Sequence, residues 1–304
     1  MSPLFRLHER PDLDSPVLIV ALEGWIDAGL GAGSAIAHVL ETTESATVAA
    51  FDTDELLDYR ARRPIMHLVE GVNTRLTWPA LELRVATDLA GNDLLLLVGA
   101  EPDHQWKAFS NAVVDLAFEF GVRMVIGFGA YPAPTPHTRP ARLACTASTA
   151  ELARAFGFVH ATVDVPAGVQ GAIERQCAEA GMPALGLWAQ VPHYAAAMPY
   201  PAAGAALVEG LGLVAGLSLD AGPLHEAGAA SRARLDALIE QSTEHQALVR
   251  QLEEQVDAAS AAEPDVGETT VRLSGDSYPP GMQVPSGDEL AAELERFLRE
   301  QGEA

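Results

Sequence analysis

Val17 to Leu22 and Leu94 to Val98 are short, unbroken apolar runs, and Val122 to Phe128 is a third, interrupted only by Arg123. A strand with one wet face alternates polar and apolar residues. Unbroken runs belong to strands buried on both faces, as in a parallel sheet covered by helices. After the first run, the glycines and alanines of Ala28 to Ala37 lead into a helix ending near Leu40. Between the second and third, Phe109, Val113, Leu116, Ala117 and Phe120 recur at helical spacing within His104 to Phe120. Strand, helix, strand with short connections is a βαβ unit. The expected fold is α/β: three α/β/α layers around a mostly parallel sheet.

Thr47–Phe51, Leu143–Thr146 and Ala184–Gln190 read as further strands, and Ser148–Phe156, Val169–Ala180 and Ala202–Leu217 as helices. From Ile65 to Ala86, Met66, Leu68, Leu76, Trp78, Leu81, Leu83 and Val85 alternate with polar residues. That pattern predicts an antiparallel excursion, a hairpin at a sheet edge. The α/β/α domain takes residues 1–222. Residues 223–262 lack strand signals and carry apolar stripes through Leu235, Leu238, Ile239, Leu248, Leu252 and Val256, which predicts a helical hairpin as a C-terminal extension. Residues 263–285, with Gly, Pro, Ser and Asp, read as a linker. Ser286 and Glu289 match a capping box, so 286–304 is expected to be an amphipathic helix docked on its own domain or on another subunit.

Composition narrows the function classes. The formal charge is −23 and Lys107 is the only lysine, which argues against nucleic acid as a partner because phosphates demand clustered Lys and Arg. Cys145 and Cys177 stand far apart, outside any Cys-x-x-Cys or Cys/His cluster, so neither a disulfide framework nor a zinc site is expected. The histidines form no His-x-His or His-Glu-x-x-His, and no metal is expected. The charged N-terminus has no apolar signal core. Glu209 interrupts the apolar run Ala202 to Leu217, which is short for a bilayer. A cytoplasmic protein without membrane contact is the expectation.

Four loops that follow strands carry unusual side chains. Glu23, Trp25 and Asp27 follow the first strand; Glu101 and Trp106 follow Val98; His137, Thr138 and Arg139 end a loop with prolines at 132, 134, 136 and 140; His193 and Tyr194 follow Gln190. Proline fixes φ, so that loop loses little entropy on ordering. Strands running in one direction send all four loops to the same sheet edge, where open α/β sheets bind ligands. Duller roles stand beside each. Asp27 either pairs with Glu23 for acid–base work or caps the helix after it, the commoner duty of Asp there. Arg139 is suited equally to holding an anion and to pairing with Glu101 or Glu23. Gly29, Gly31 and Gly33 do not have phosphate-loop spacing and suit close helix-to-strand packing.

Read together, Leu22-Glu23-Gly24-Trp25-Ile26-Asp27-Ala28-Gly29, Gly99-Ala100-Glu101-Pro102-Asp103-His104-Gln105-Trp106, His137-Thr138-Arg139-Pro140 and Val191-Pro192-His193-Tyr194 resemble the proteasome assembly chaperone two family in its actinobacterial branch. The resemblance implies a phosphorylase/hydrolase-like α/β/α fold, homo-oligomers and a proteasome-related protein partner, and no cofactor is expected. The family's docking tails end in a hydrophobic residue, a tyrosine and one more, a pattern absent from Arg299 to Ala304. An ATP-grasp ligase activity, a label carried by some relatives, is disfavoured because it needs lysines on strands and only Lys107 is present. Two readings follow. In the first the chain is a non-enzymatic assembly or interaction factor. In the second it is a small-ligand binder or enzyme, with Arg139 holding an anion, His137 or His193 as acid/base, Glu23 or Glu101 orienting it, and Trp25 or Trp106 stacking on a ring.

Overall fold

The computed structural model describes residues 4–24, 26–156 and 164–262. Trp25, the linker expected at 263–285 and the helix expected at 286–304 lie outside the described residues.

Among the described residues ten strands and eight α-helices follow in order: β1 (Phe5–Leu7), β2 (Val17–Glu23), α1 (Gly31–Thr42), β3 (Ala46–Phe51), α2 (Thr53–Leu56), β4 (Ile65–Val69), β5 (Val72–Thr77) and β6 (Leu81–Thr87). Then come β7 (Asp93–Ala100), α3 (Trp106–Glu119), β8 (Met124–Ala133), β9 (Leu143–Ala147), α4 (Ala150–Phe156), α5 (Val169–Ala180), β10 (Ala184–Pro192), α6 (Pro201–Ala215), α7 (Gly222–Ile239) and α8 (Thr243–Ala262). Eight strands form one sheet in the order β1-β3-β6-β7-β2-β8-β10-β9.

The unbroken apolar runs take the central places, and their side chains alternate between two cores. Val17, Ile19 and Ala21 of β2 join α1, α6 and α7 on one face. Leu18 and Val20 join Phe109, Val113 and Leu116 of α3 and Ile173 of α5 on the other. Helices therefore cover both faces, which is why these strands need no polar alternation.

The sheet is mixed rather than mostly parallel. β7, β2, β8 and β10 run parallel, but β1, β3, β6 and β9 pair antiparallel. Loop length explains the difference. A parallel return needs a crossover of a dozen residues or more. Only residues 88–92 join β6 to β7, and the proline loop reaches β9 without a helix, so the chain turns back in both places.

The expected edge hairpin also resolves differently. β4 and β5 form a separate two-stranded sheet. β6 instead lies inside the main sheet between β3 and β7, with Leu81 and Leu83 buried. The alternation was shared by an inner strand and by a hairpin exposed to solvent. Both outermost strands of the main sheet are short, three residues in β1 and five in β9.

Candidate functional site

Because β7, β2, β8 and β10 are parallel, their four exit loops leave one edge, and backbone and side-chain hydrogen bonds stitch them together. The Glu101 N–H donates to the Glu23 carbonyl at 3.0 Å, joining the β7 and β2 exits. Gly29 joins the β2 and β10 exits: its N–H donates to the Ala196 carbonyl at 2.7 Å, and its own carbonyl accepts from Tyr200 N–H at 2.8 Å. Glycine is required there, since φ is +61° and a Cβ would stand 2.7 Å from the Tyr200 Cβ. Gly31 has the packing role expected of it, because a Cβ would lie 2.9 Å from those of Ala130 and Ala203.

The side chains at this edge take separate duties. Glu23 is exposed. Asp27 turns away from it and accepts from the N–H groups of Ala32 at 2.7 Å and Gly33 at 2.9 Å, capping the first turn of α1 across an intervening 3-10 turn. Burial holds its carboxyl above the ordinary value against the pull of those backbone bonds. Glu101 accepts from Val169 N–H at 2.6 Å, so its carboxylate sits on the positive N-terminus of α5. Trp106 donates its indole N–H to the Pro102 carbonyl at 2.6 Å and packs on the α3-side core.

His137, Thr138 and Arg139 face the C-terminal helices. The His137 ring is nearly inaccessible, at 1% exposure. Its Nδ1 lies 2.8 Å from the Tyr194 hydroxyl, which also accepts from the His137 backbone N–H at 2.9 Å. Its Nε2 lies 3.0 Å from Oδ1 of Asp236 on α7. The network assigns the proton to Nε2, donating to Asp236, while Tyr194 donates to Nδ1. Burial pushes the Tyr194 phenol up to about 12, so it keeps the proton that it donates. Thr138 donates to Glu253 of α8 at 2.5 Å. Arg139 forks onto both oxygens of Asp257 at 2.8 and 2.7 Å and reaches Glu253 at 3.2 Å. Those hydrogen bonds and charges hold its guanidinium more firmly protonated than usual. His193 is exposed and meets the Tyr194 ring edge-on at 5.3 Å.

The described residues among those chosen from sequence thus lie on loops that leave one edge, and their side chains take separate partners. Glu101 and Asp27 serve helix N-termini, and the His137–Arg139 segment latches onto α7 and α8. The acidic partners Asp236, Glu253 and Asp257 escaped the sequence reading, though Glu253 and Asp257 are four apart and so lie on one helical face. Also unforeseen is Glu174 of α5, accepting from Thr146 at 2.7 Å; Thr146 in turn accepts from the Trp188 indole at 3.1 Å. Cys145 and Cys177 are buried, and burial together with the Glu174 charge pushes both thiols up to about 12. Neither is a thiolate at neutral pH. Among the described residues no cluster of His, Cys, Asp or Glu suits a metal ion, and no helix is long and apolar enough to cross a membrane.

The PAC2 family profile matches residues 21–239, a span from the end of β2 through α7 that includes all four exit loops. The chain belongs to the PAC2 family. Comparison with the curated proteins gives no match. A Mycobacterium tuberculosis protein of unknown function is 37% identical, with TM-score 0.78 over 86% of this chain and 91% of its own. A Corynebacterium glutamicum protein of unknown function is 32% identical, with TM-score 0.80 over 85% and 98%. A second Mycobacterium tuberculosis structure, a proteasome-assembly chaperone homologue, is 32% identical, with TM-score 0.71 over 77% of this PAC2 chain and 99% of its own.

Proposed function

We propose that this PAC2 chain is a non-enzymatic interaction factor, cytoplasmic and of the proteasome-assembly type, that presents its acidic surface and α7–α8 to a protein partner. The observation that carries this reading is the latch: His137 and Arg139, the groups best suited to acid–base work and anion binding, are engaged by Tyr194, Asp236, Glu253 and Asp257. A catalytic base must reach the proton that it abstracts, and an anion-binding Arg must keep its fork open. Here the fork already holds carboxylates of the same chain. The likeness to a proteasome-assembly chaperone homologue adds a partner class: a proteasome subunit or subassembly.

The test has two arms. Thermal unfolding of the full chain is followed with inorganic phosphate, adenosine, ATP and a dicarboxylate, and the midpoint is expected to move by less than about 1 °C. Co-migration with purified proteasome α subunits is then measured, and a complex is expected. A ligand-induced rise of several degrees that vanishes in Arg139→Ala overturns the reading in favour of a small-ligand site. Failure to bind α subunits removes the proteasome as the partner class.

A further inference from the structure

We propose that the proline loop is a receptor for an acidic amphipathic helix of a partner protein, and that α8 is the chain's own copy of that ligand, seated until a partner displaces it. The loop has anchors that do not involve α8. Prolines at 132, 134, 136 and 140 restrict its backbone. Thr135 and His137 are buried, and the His137 ring is held by Tyr194 and by Asp236 of α7. The next two residues, Thr138 and Arg139, give their side chains to α8. A stiff loop ending in a hydroxyl and a guanidinium fork is ready-made for carboxylates.

α8 sits on it as a ligand would. Among the described residues α8 gives no side chain to either core; Val249 and Leu252 are its buried pair. Val249, Leu252, Glu253, Val256 and Asp257 follow at i, i+3, i+4, i+7 and i+8, so apolar groups and both carboxylates share one stripe. The polar anchors stand partly in water, with Arg139 32% and Asp257 57% exposed, and such pairs exchange at little cost. The tether to α7 is residues 240–242, with Glu240 and Gln241 exposed, a place for a hinge. Chemistry and spacing therefore name the occupant: a helix with apolar residues at i and i+3 and carboxylates at i+4 and i+8. The tethered copy competes at an effective concentration on the order of millimolar, which keeps the receptor closed to weak ligands. Displacement rests on the reading of α7–α8 as the partner-facing part of the chain, and does not require that the partner be a proteasome subunit.

The probe is a fluorescein-labelled peptide of residues 243–262, titrated with the full chain and followed by anisotropy. Weak binding is expected from the intact chain. Glu253→Gln/Asp257→Asn loosens the resident helix, and affinity should rise at least about tenfold. A second variant adds Leu252→Glu to unseat the apolar pair, and should bind at least as tightly. Arg139→Ala in either background should cancel the gain, and a peptide with one alanine inserted between Glu253 and Asp257 should not bind. In a nitrogen-15-labelled intact chain, excess unlabelled peptide should quicken amide exchange across residues 244–262 and spare β2 and β7. No gain in either variant, or a gain that survives Arg139→Ala, overturns the proposal. The outcome is read apart from co-migration with proteasome α subunits: a failed peptide assay beside a formed complex sinks the displaceable helix alone, and the reverse result sinks only the proteasome as partner.

Discussion

The imidazole Nε2 of His137, buried at the sheet's exit edge, meets Oδ1 of Asp236, 99 residues further along the chain, at 3.0 Å. That one bond joins a proline-stiffened loop to α7. His137→Ala removes the imidazole and leaves the Tyr194 hydroxyl without its acceptor, so a loss of about 2–3 kcal/mol is expected in chemical denaturation. Asp236→Ala strands the Nε2–H, removes the partner of the exposed Arg232, 4.0 Å away, and should cost about 1–2 kcal/mol. The double variant should show coupling of about 1 kcal/mol. Strict additivity would mean that the pair contributes nothing as a pair.

Arg139→Ala unfastens α8 without touching either core. The expected readout is amide hydrogen exchange: residues 244–262 should exchange faster, while β2 and β7 keep their protection. Raising the salt concentration should reproduce part of the effect in the wild-type chain, since the Arg139–Asp257 pair is largely exposed. Unchanged exchange in α8 would show that its other anchors, the Thr138–Glu253 bond and the buried Val249 and Leu252, hold it without Arg139.

Asp27 and Asp88 should respond to acid in opposite directions. Asp27→Ala removes the cap on α1 and should cost about 1–2 kcal/mol. Burial raises the Asp27 carboxyl, so the folded chain binds that proton more tightly than the unfolded chain. Its contribution therefore grows as pH falls through the raised folded value toward about 3.9, the unfolded one. The penalty of Asp27→Ala should widen over that window in denaturant titrations at stepped pH.

Asp88 ties the β6–β7 turn to Ser218, the third residue beyond α6. It accepts from Ala90 N–H, Asn92 N–H, the Asn92 amide and Ser218 N–H at 2.7 to 2.9 Å. Burial opposes its ionisation, but these four donors together draw its carboxyl below the ordinary value. Its stabilisation is full above the unfolded pKa and is lost as pH falls through the folded one. Asp88→Ala should cost about 2–4 kcal/mol near neutrality and progressively less in acid. A penalty that does not shrink would mean that the carboxylate's charge has no part in holding the turn.

Periodicity carried most of the fold. Val17–Glu23, Leu94–Val98 and the α3 stripe were legible because burial on both faces or on one helical stripe leaves a pattern within a single segment. Direction was legible only through loop length: residues 88–92 are too few for a crossover, and that cue outweighs the apolar run that follows them. At the site, the role of Asp27 followed from its place before a helix. The partners of Arg139 did not. Glu101 was far nearer in sequence, yet the Arg reaches residues 114 and 118 positions away, and nothing local states which distant helix folds back over a loop.

The short outermost strands have their own implication. Three residues in β1 and five in β9 offer an incoming backbone only a handful of open amides and carbonyls. Growth by stitching sheet to sheet, the route to fibres, is thereby starved at both ends. Whatever this protein gathers around itself, it must choose through the shape and charge of side chains.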